Sequence, residues 1–238
     1  MSSRDETVRI AWIGLVAVVT AVVIIAGFSL AGSLPGLLDA SGGGTGEVNA
    51  TVGSYYLDNA GQPVVVGEVY NGLDVGIGSV VVTVTIYEDG EPVDEVHGAP
   101  MMGSIPGDTT VPFELRVNGT DGEPGDIDVD VSYMELDADI AQSLTVVDAV
   151  EVSRGQTSVT VAGTVANDGD DEVVRPLAVV TFYDENGTLL GVRSDRVDPS
   201  PLVSGEDGDF QVRYSTDGQV PSLALEYEYF EVIVYDLD

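Results

Sequence analysis

A repeat with an offset of about 96 residues most limits what this chain can fold into. Three blocks from the middle of the chain return nearer its C-terminal end, with apolar and turn-forming residues at matching places. The pairs are VGEVYNG (66–72) with AGTVAND (162–168), TVTIYEDGEPVDEV (83–96) with VVTFYDENGTLLGV (179–192), and IDVDVSY (127–133) with LALEYEY (223–229). Because only two copies are present, the repeat indicates tandem domains rather than a solenoid.

Each copy has the period of a β-strand. Residues 127–133 and 223–229 alternate apolar with other side chains, which predicts strands with one buried and one solvated face. Gly, Asn, Asp and Pro clusters separate such runs, and no segment after residue 40 has a helical period. Copies of about 90 residues with six or seven strands predict an all-β fold of two tandem immunoglobulin-like antiparallel β-sandwich domains. Their predicted bounds are 48–140 and 141–238; a six-stranded barrel is the alternative packing.

An uncharged segment of 22 residues, at positions 10–31, precedes the repeat. As a helix it would measure about 33 Å, which is enough to cross a membrane. Arg4 and Arg9 precede it, so residues 1–9 are predicted to be cytoplasmic and the C-terminal domains to lie outside the cell. Residues 32–47 are predicted to form a Gly/Ser-rich linker.

Two alternatives to a retained anchor stay open. A signal peptide could be cleaved after the small residues Ser29 and Ala31, although its apolar core would be unusually long. A pilin-type leader would normally be cut just ahead of the helix, after a Gly, and the sequence ETVRIAW has no Gly there. The retained transmembrane helix is therefore favoured.

The net charge is −33, from 41 Asp and Glu residues against eight basic residues, all of them Arg. Such a charge repels phosphate backbones and excludes nucleic acid as a partner. The carboxylates also repel one another in dilute buffer, whereas at molar salt the screening length falls to about 3 Å. Since the acids are spread among Val-rich stretches, they do not form a disordered acidic tail. The composition predicts a halophilic protein of haloarchaeal type.

The residue types leave little chemistry for a catalytic or metal centre. The chain has no Cys, and its single His is His97, which follows a predicted strand. Thiolate and imidazole sites are therefore not expected. Met101 and Met102 have no Cys or His partners for copper and are interpreted as packing residues. The sequence predicts no enzyme activity, no catalytic residue, no cofactor and no metal ion.

The adjacent carboxylates Asp184 and Glu185 are the candidate for an acid–base pair in this sequence. The first copy has Glu88-Asp89 at the matching place, and a hairpin turn explains both pairs. Asn186-Gly187, which follows, is a favoured turn pair because both residues tolerate positive φ. We therefore interpret residues 184–187 as a turn.

Calcium is the alternative for two other acidic stretches. NDGDDE (167–172) and GEDGDF (205–210) hold many oxygen ligands on predicted loops. Neither has the order of ligands of an EF-hand loop, and an acidic composition produces such clusters anyway. A weak calcium site stays open, but none is predicted.

Three sequons are candidates for N-glycosylation: Asn49, Asn118 and Asn186, each followed by Thr two residues later. All three are predicted to fall in loops or linkers. If the domains lie outside the cell, these asparagines face the compartment in which glycans are attached.

The pattern Gly-x-Val-x-Asn, followed by an aromatic-Tyr-Asp run, a Gly turn and a later Phe, resembles the FxLyD domain family. The core signature corresponds to Val180, Phe182, Tyr183 and Asp184. In the first copy the same places hold Val84, Ile86, Tyr87 and Glu88. The resemblance covers roughly residues 64–135 and 159–230. It implies a small extracellular β-sandwich, often membrane-anchored, without catalytic residues.

Together these features predict a single-pass protein of the cell membrane with a binding or structural role in the cell envelope. The expected partners are the membrane, through residues 10–31, and an envelope protein or polysaccharide. A subunit of a pilus-like filament and an accessory subunit of a membrane transporter or enzyme are the alternatives.

Overall fold

A computed structural model describes residues 46–58, 60–117, 124–137, 140–155, 157–215 and 227–236. These residues form strands and connections without a helix, and none of them belongs to a helix that could cross a membrane. The predicted helix at 10–31 lies outside the described residues. The strands are β1 Val48–Leu57, β2 Pro63–Asn71, β3 Ile77–Glu88, β4 Glu91–Gly98, β5 Thr109–Arg116, β6 Asp126–Glu135, β7 Leu144–Arg154, β8 Ser158–Asn167, β9 Pro176–Tyr183, β10 Leu189–Arg196, β11 Asp207–Ser215 and β12 Tyr229–Asp236.

The twelve described strands make four antiparallel sheets of three strands. Strands β1–β6 form the sheets β1-β2-β5 and β4-β3-β6, and we call them the first half. Strands β7–β12 form the sheets β11-β8-β7 and β10-β9-β12, and we call them the second half. Each strand of the first half has its counterpart six positions later in the same place. The all-β fold predicted from the sequence is confirmed for the described residues.

Each half encloses a core between its two sheets, in the manner of a sandwich. In the first half Val65 and Val69 of β2 meet Val82, Val84 and Ile86 of β3, all nearly inaccessible to solvent. The second core is built in the same way around Phe182, Phe210 and Tyr214, and the rings of Phe182 and Tyr214 pack edge to face. The predicted alternation holds in β6, where Ile127, Val129 and Val131 are half-buried between exposed aspartates.

The halves share a third apolar core, because one sheet of each half packs face to face on the other. This interface core comprises Tyr56, Val64, Val66, Val179, Tyr183, Leu189, Val192 and Tyr235. The order of layers is therefore β4-β3-β6, β1-β2-β5, β10-β9-β12 and β11-β8-β7. Strands β2 and β9 lie in the middle layers and are buried on both sides. The prediction of one solvated face, made for the alternating segments, does not extend to these two strands.

The third block of the predicted repeat has a different register. Tyr87 pairs with Asp126, whereas its counterpart Tyr183 pairs with Tyr229. In the repeat, the counterpart of the segment at 127–133 is therefore strand β12, which begins at Tyr229, and not the segment at 223–229. Residues 223–226 lie outside the described residues. The segment at 223–229 alternates small and large residues as β6 does. Such a pattern does not fix the register when inserted residues precede the strand.

Candidate functional site

The interface core is the most elaborate side-chain arrangement among the described residues. Val65 of β2 points into the first core, whereas Val64 and Val66 point the other way, into the interface core. On the facing sheet, Val179 and Tyr183 of β9 also point into the interface core. Burial on both sides explains why Pro63–Val66 and Leu177–Tyr183 are nearly continuous apolar runs rather than alternating ones.

The backbones of β1 and β10 approach each other closely at Gly53, which lies at a bulge in β1 between Val52 and Ser54. A Cβ added to Gly53 would lie 2.7 Å from Cβ of Leu189 and 2.8 Å from its carbonyl oxygen. Any larger residue would therefore push β10 away from the first half.

Polar contacts also join the halves around this apolar centre. The Tyr183 hydroxyl donates to Oε1 of Glu68 (2.6 Å), and Nη1 of Arg193 lies 2.6 Å from Oε2 of Glu114. The Tyr235 hydroxyl donates to the backbone oxygen of Met101 (2.7 Å). Since a carboxylate on one half meets a donor on the other, these contacts fix the orientation of the two sheets as well as their separation.

Burial changes the titration of these groups. The pKa of Glu68 is raised by desolvation, which the hydrogen bond from Tyr183 only partly offsets. Burial and the charge of Glu68 raise the pKa of Tyr183. Burial would lower the pKa of Arg193, but the charge of Glu114 and the contact with Tyr56 outweigh it and raise that pKa. At neutral pH Arg193 is therefore charged, and the hydroxyls of Tyr183 and Tyr235 stay protonated and can donate hydrogen bonds.

The acidic stretch at Asp184-Glu185 is a turn, as predicted. It connects β9 to β10, and Oδ1 of Asp184 accepts hydrogen bonds from the backbone N–H groups of Asn186 and Thr188, both at 2.8 Å. These bonds lower the pKa of Asp184 against the opposing effect of its burial. Gly187 has a φ of +80°, but Asn186 is not among the described residues with positive φ. The expectation of a two-residue turn with both residues at positive φ is thus met by the first half instead, at Asp89 (+51°) and Gly90 (+81°).

The two acidic stretches considered for calcium lie side by side. The Asn167 N–H donates to the backbone oxygen of Glu206, and the Gly205 N–H donates to that of Asn167. Nevertheless, no three Asp, Glu or His side chains of the described residues come together in a way that could hold a metal ion.

Asn167 itself is a buried clamp. Its Nδ2 donates to the carbonyl oxygens of Asp171 and Leu202, both at 2.9 Å, and its Oδ1 accepts from the Gly169 N–H. Asn71 does the same in the first half, with Nδ2 donating to Val75, Ile105 and Pro106. This pair explains the Asn of the repeated Gly-x-Val-x-Asn pattern as a structural residue.

The remaining candidates take up packing or surface positions. His97 lies near the end of the edge strand β4, where Nδ1 is 2.9 Å from Oγ1 of Thr83 and Nε2 is 3.2 Å from Oε1 of Glu95. Met101 and Met102 are half-buried and pack against both the first core and the interface core, so the prediction of a packing role is confirmed.

The three sequons differ in their surroundings. Asn186 is exposed in the β9–β10 turn, and Asn118 lies outside the described residues. Asn49 is half-buried in β1 opposite Tyr70, so its predicted place in a loop or linker is wrong. The polar residues around it resemble a linker in sequence, but pairing with β2 draws them into the sheet.

An open cleft of about 410 Å³ lies beside the connection between the halves. Met102, Ser104, Gln142 and Tyr235 contribute to its lining. No motif in the sequence indicated this cleft.

No protein-family model matches this chain, and no curated protein matches it. Among solved structures, the exo-chitosanase CsxA of Amycolatopsis orientalis is 12% identical over 77% of this chain and 25% of that chain, with a TM-score of 0.28. The β-glucuronidase of Bacteroides uniformis is 16% identical over 62% of this chain and 21% of that chain, with a TM-score of 0.24. This chain thus spans about a quarter or less of those proteins, and similarity this low carries no inference about function.

Proposed function

We propose that this chain is a single-pass membrane protein of an extreme halophile with a non-catalytic role, binding or structural, in the cell envelope. The observation that carries the proposal is the interface core, which joins the halves through buried valines, tyrosines and two carboxylate contacts. A stack braced in this way is a rigid spacer, whereas two binding modules on a flexible linker would not need it. The uncharged segment at 10–31 supports anchoring, and the charge of −33 supports the saline setting.

We also propose that the two halves are tandem immunoglobulin-like sandwich domains of the FxLyD type. Support comes from the same order of six strands in each half and from the residues of the signature. Val180 and Phe182 lie in the second core, Tyr183 reaches across the interface, and Asp184 holds the turn. Each position of the short pattern therefore has a physical reason in this fold.

The partner is proposed to be an envelope protein or polysaccharide that contacts the edge strands and exposed loops. Apolar side chains that remain accessible include Met134 (61% exposed) at the end of β6 and Val147 (59%) in β7. Both strands are edges of their sheets, where backbone groups are also available to a partner.

Cysteine labelling tests the anchored, outward-facing arrangement, because the native chain has no Cys and each introduced thiol is unique. Gln211→Cys places a thiol on exposed β11, and Ser3→Cys places one ahead of the apolar segment. With a membrane-impermeant maleimide, intact cells should label Gln211→Cys, and Ser3→Cys should label only after lysis. The reverse pattern, or an intact mass showing that the mature protein begins beyond residue 31, would overturn the proposal.

A further inference from the structure

Asn186 lies at an exposed turn that meets the requirements of a glycan acceptor. The sequon Asn186-Gly187-Thr188 connects β9 to β10, and Asn186 is exposed. Its backbone N–H donates to Oδ1 of Asp184 (2.8 Å), and its side-chain amide contacts the same carboxylate at the surface of the turn. Gly187 adopts a positive φ of +80°, so the chain bends sharply just after the acceptor. A turn of this kind leaves the asparagine side chain accessible to a transferase.

The other described sequon offers a useful contrast. Asn49 is half-buried within β1 and pairs with Tyr70 of β2, in the sheet that packs on the second half. A glycan there would have to leave the surface of a sheet whose neighbouring residues are covered by β10. The structure thus separates two sequons that are equivalent in sequence.

An aromatic ring accompanies the exposed sequon. Tyr229 is 40% exposed and stacks on Tyr183, with ring centroids 5.0 Å apart and an angle of 13° between the planes. Its hydroxyl lies 3.4 Å from the position that a Cβ on Gly187 would occupy, so the ring borders the turn. One face of Tyr229 is covered by Tyr183, and its exposed surface is available for the apolar C–H face of a sugar.

We propose that Asn186 carries an N-linked glycan in the native protein, and that the sugar nearest to the asparagine packs over Tyr229. The proposal rests on the outward orientation proposed above, since glycans are attached on that side of the membrane. It goes beyond that function by assigning a modification site and a surface that the modification covers.

Mass spectrometry of peptides from native membranes tests the modification. A peptide containing Asn186 should carry the additional mass of a glycan, and Asn186→Gln should lose it. Thr188→Ser is the matched control, because it preserves the sequon and should remain modified. Unmodified Asn186 in the native protein, or a glycan on Asn49 alone, would overturn the proposal. If Gln211→Cys labels on intact cells while Asn186 is bare, this inference fails and the proposed function stands.

Thermal unfolding tests the packing on Tyr229. Asn186→Gln should lower Tm by about 2–4 °C relative to glycosylated protein, as loss of a contact of ordinary size does in a chain of this length. In a Tyr229→Leu background, the same substitution should change Tm by less than half as much. An equal shift in both backgrounds would contradict the contact with Tyr229. Enzymatic or chemical removal of the glycan from the two proteins should reproduce the difference without a change at residue 186.

Discussion

Asn71 and Asn167 show how one residue holds a loop region together in each half. Both side chains are inaccessible to solvent, and each joins the end of a central strand to a loop more than 30 residues away. Asn71 donates to three carbonyl oxygens and accepts from the Leu73 N–H at 3.1 Å. A buried amide with all its hydrogen-bonding groups engaged stabilises only the arrangement that satisfies it.

Replacing Asn71 by Asp keeps the shape but removes the donors and sets a carboxylate against three carbonyl oxygens. We expect Asn71→Asp to lower the free energy of unfolding by about 3 kcal/mol or more. Urea unfolding at molar salt, followed by circular dichroism, measures the change. Gln211→Glu, at an exposed position of β11, makes the same change from amide to carboxylate and is the control; it should change the free energy by less than about 0.5 kcal/mol. Equal effects of the two substitutions would refute the clamp.

Glu68 gives a prediction about pH. Burial raises its pKa above the ordinary value of 4.5, so the folded protein binds a proton more readily than the unfolded chain. The charged carboxylate therefore costs stability above its folded pKa, and this cost disappears as the pH falls through the folded and then the unfolded pKa.

The variant Glu68→Gln is neutral and can still accept the hydrogen bond from Tyr183. We expect it to match or exceed the parent in stability at pH 7, by up to about 1 kcal/mol, with no advantage below about pH 4. Urea midpoints of both proteins across this range give the difference. An advantage that grows as the pH falls would contradict the sign of the pKa shift.

Tyr183→Phe should destabilise the protein more than Tyr87→Phe, its counterpart on the free face.

At the scale of strands, the alternation of β6 and the turn at Asp89-Gly90 could be predicted because each depends on local residues. The packing of one half on the other could not be predicted from alternation, since β2 and β9 do not alternate. Their continuous apolar runs did carry a signal for burial on both faces. No local pattern indicated which sheet would cover each of these runs. Nor did any pattern indicate the contacts of Glu68 and Arg193 across the interface.

The double burial of β2 predicts different tolerance at matched positions. Val66 points into the interface core. Its counterpart in β8 is Ala162, on a face that none of the described sheets covers. Val66→Thr places a hydroxyl in an apolar site and should cost about 1–2 kcal/mol, whereas Ala162→Thr should cost less than about 0.5 kcal/mol. Thermal or urea unfolding of the two variants decides this. Comparable losses would mean that β2 does not differ from β8 in burial.

For the whole molecule, the joined faces are not equivalent parts of the repeat. The first half contributes β1-β2-β5, and the second contributes β10-β9-β12, whose counterpart is β4-β3-β6. A head-to-tail contact of this type could in principle continue from copy to copy. The counterparts of Val64, Val66 and Val179 on the two free faces are Thr160, Ala162 and Thr83. At these three positions the larger apolar residue lies on the faces that meet, which favours a stack of four layers that does not extend.

The acids on the free faces set the salt dependence of this stack. Asp126, Asp128 and Asp130 lie exposed in a row along β6, in a chain with a net charge of −33. We expect the urea midpoint of the parent to rise steeply with NaCl, because screening removes repulsion that the fold concentrates. Replacing all three by Asn should raise the free energy of unfolding by roughly 1–2 kcal/mol at about 0.2 M NaCl and by almost nothing at about 3 M.

The triple Asp→Glu variant keeps the charge and is the control, so its salt dependence should follow that of the parent. Both variants change the same three positions on a solvated face, which separates charge from local strand preference. An equal gain of the Asn variant at low and high NaCl would show that repulsion is not the cause. A gain confined to low salt would identify the free face of β6 as a part of the molecule that requires a saline environment.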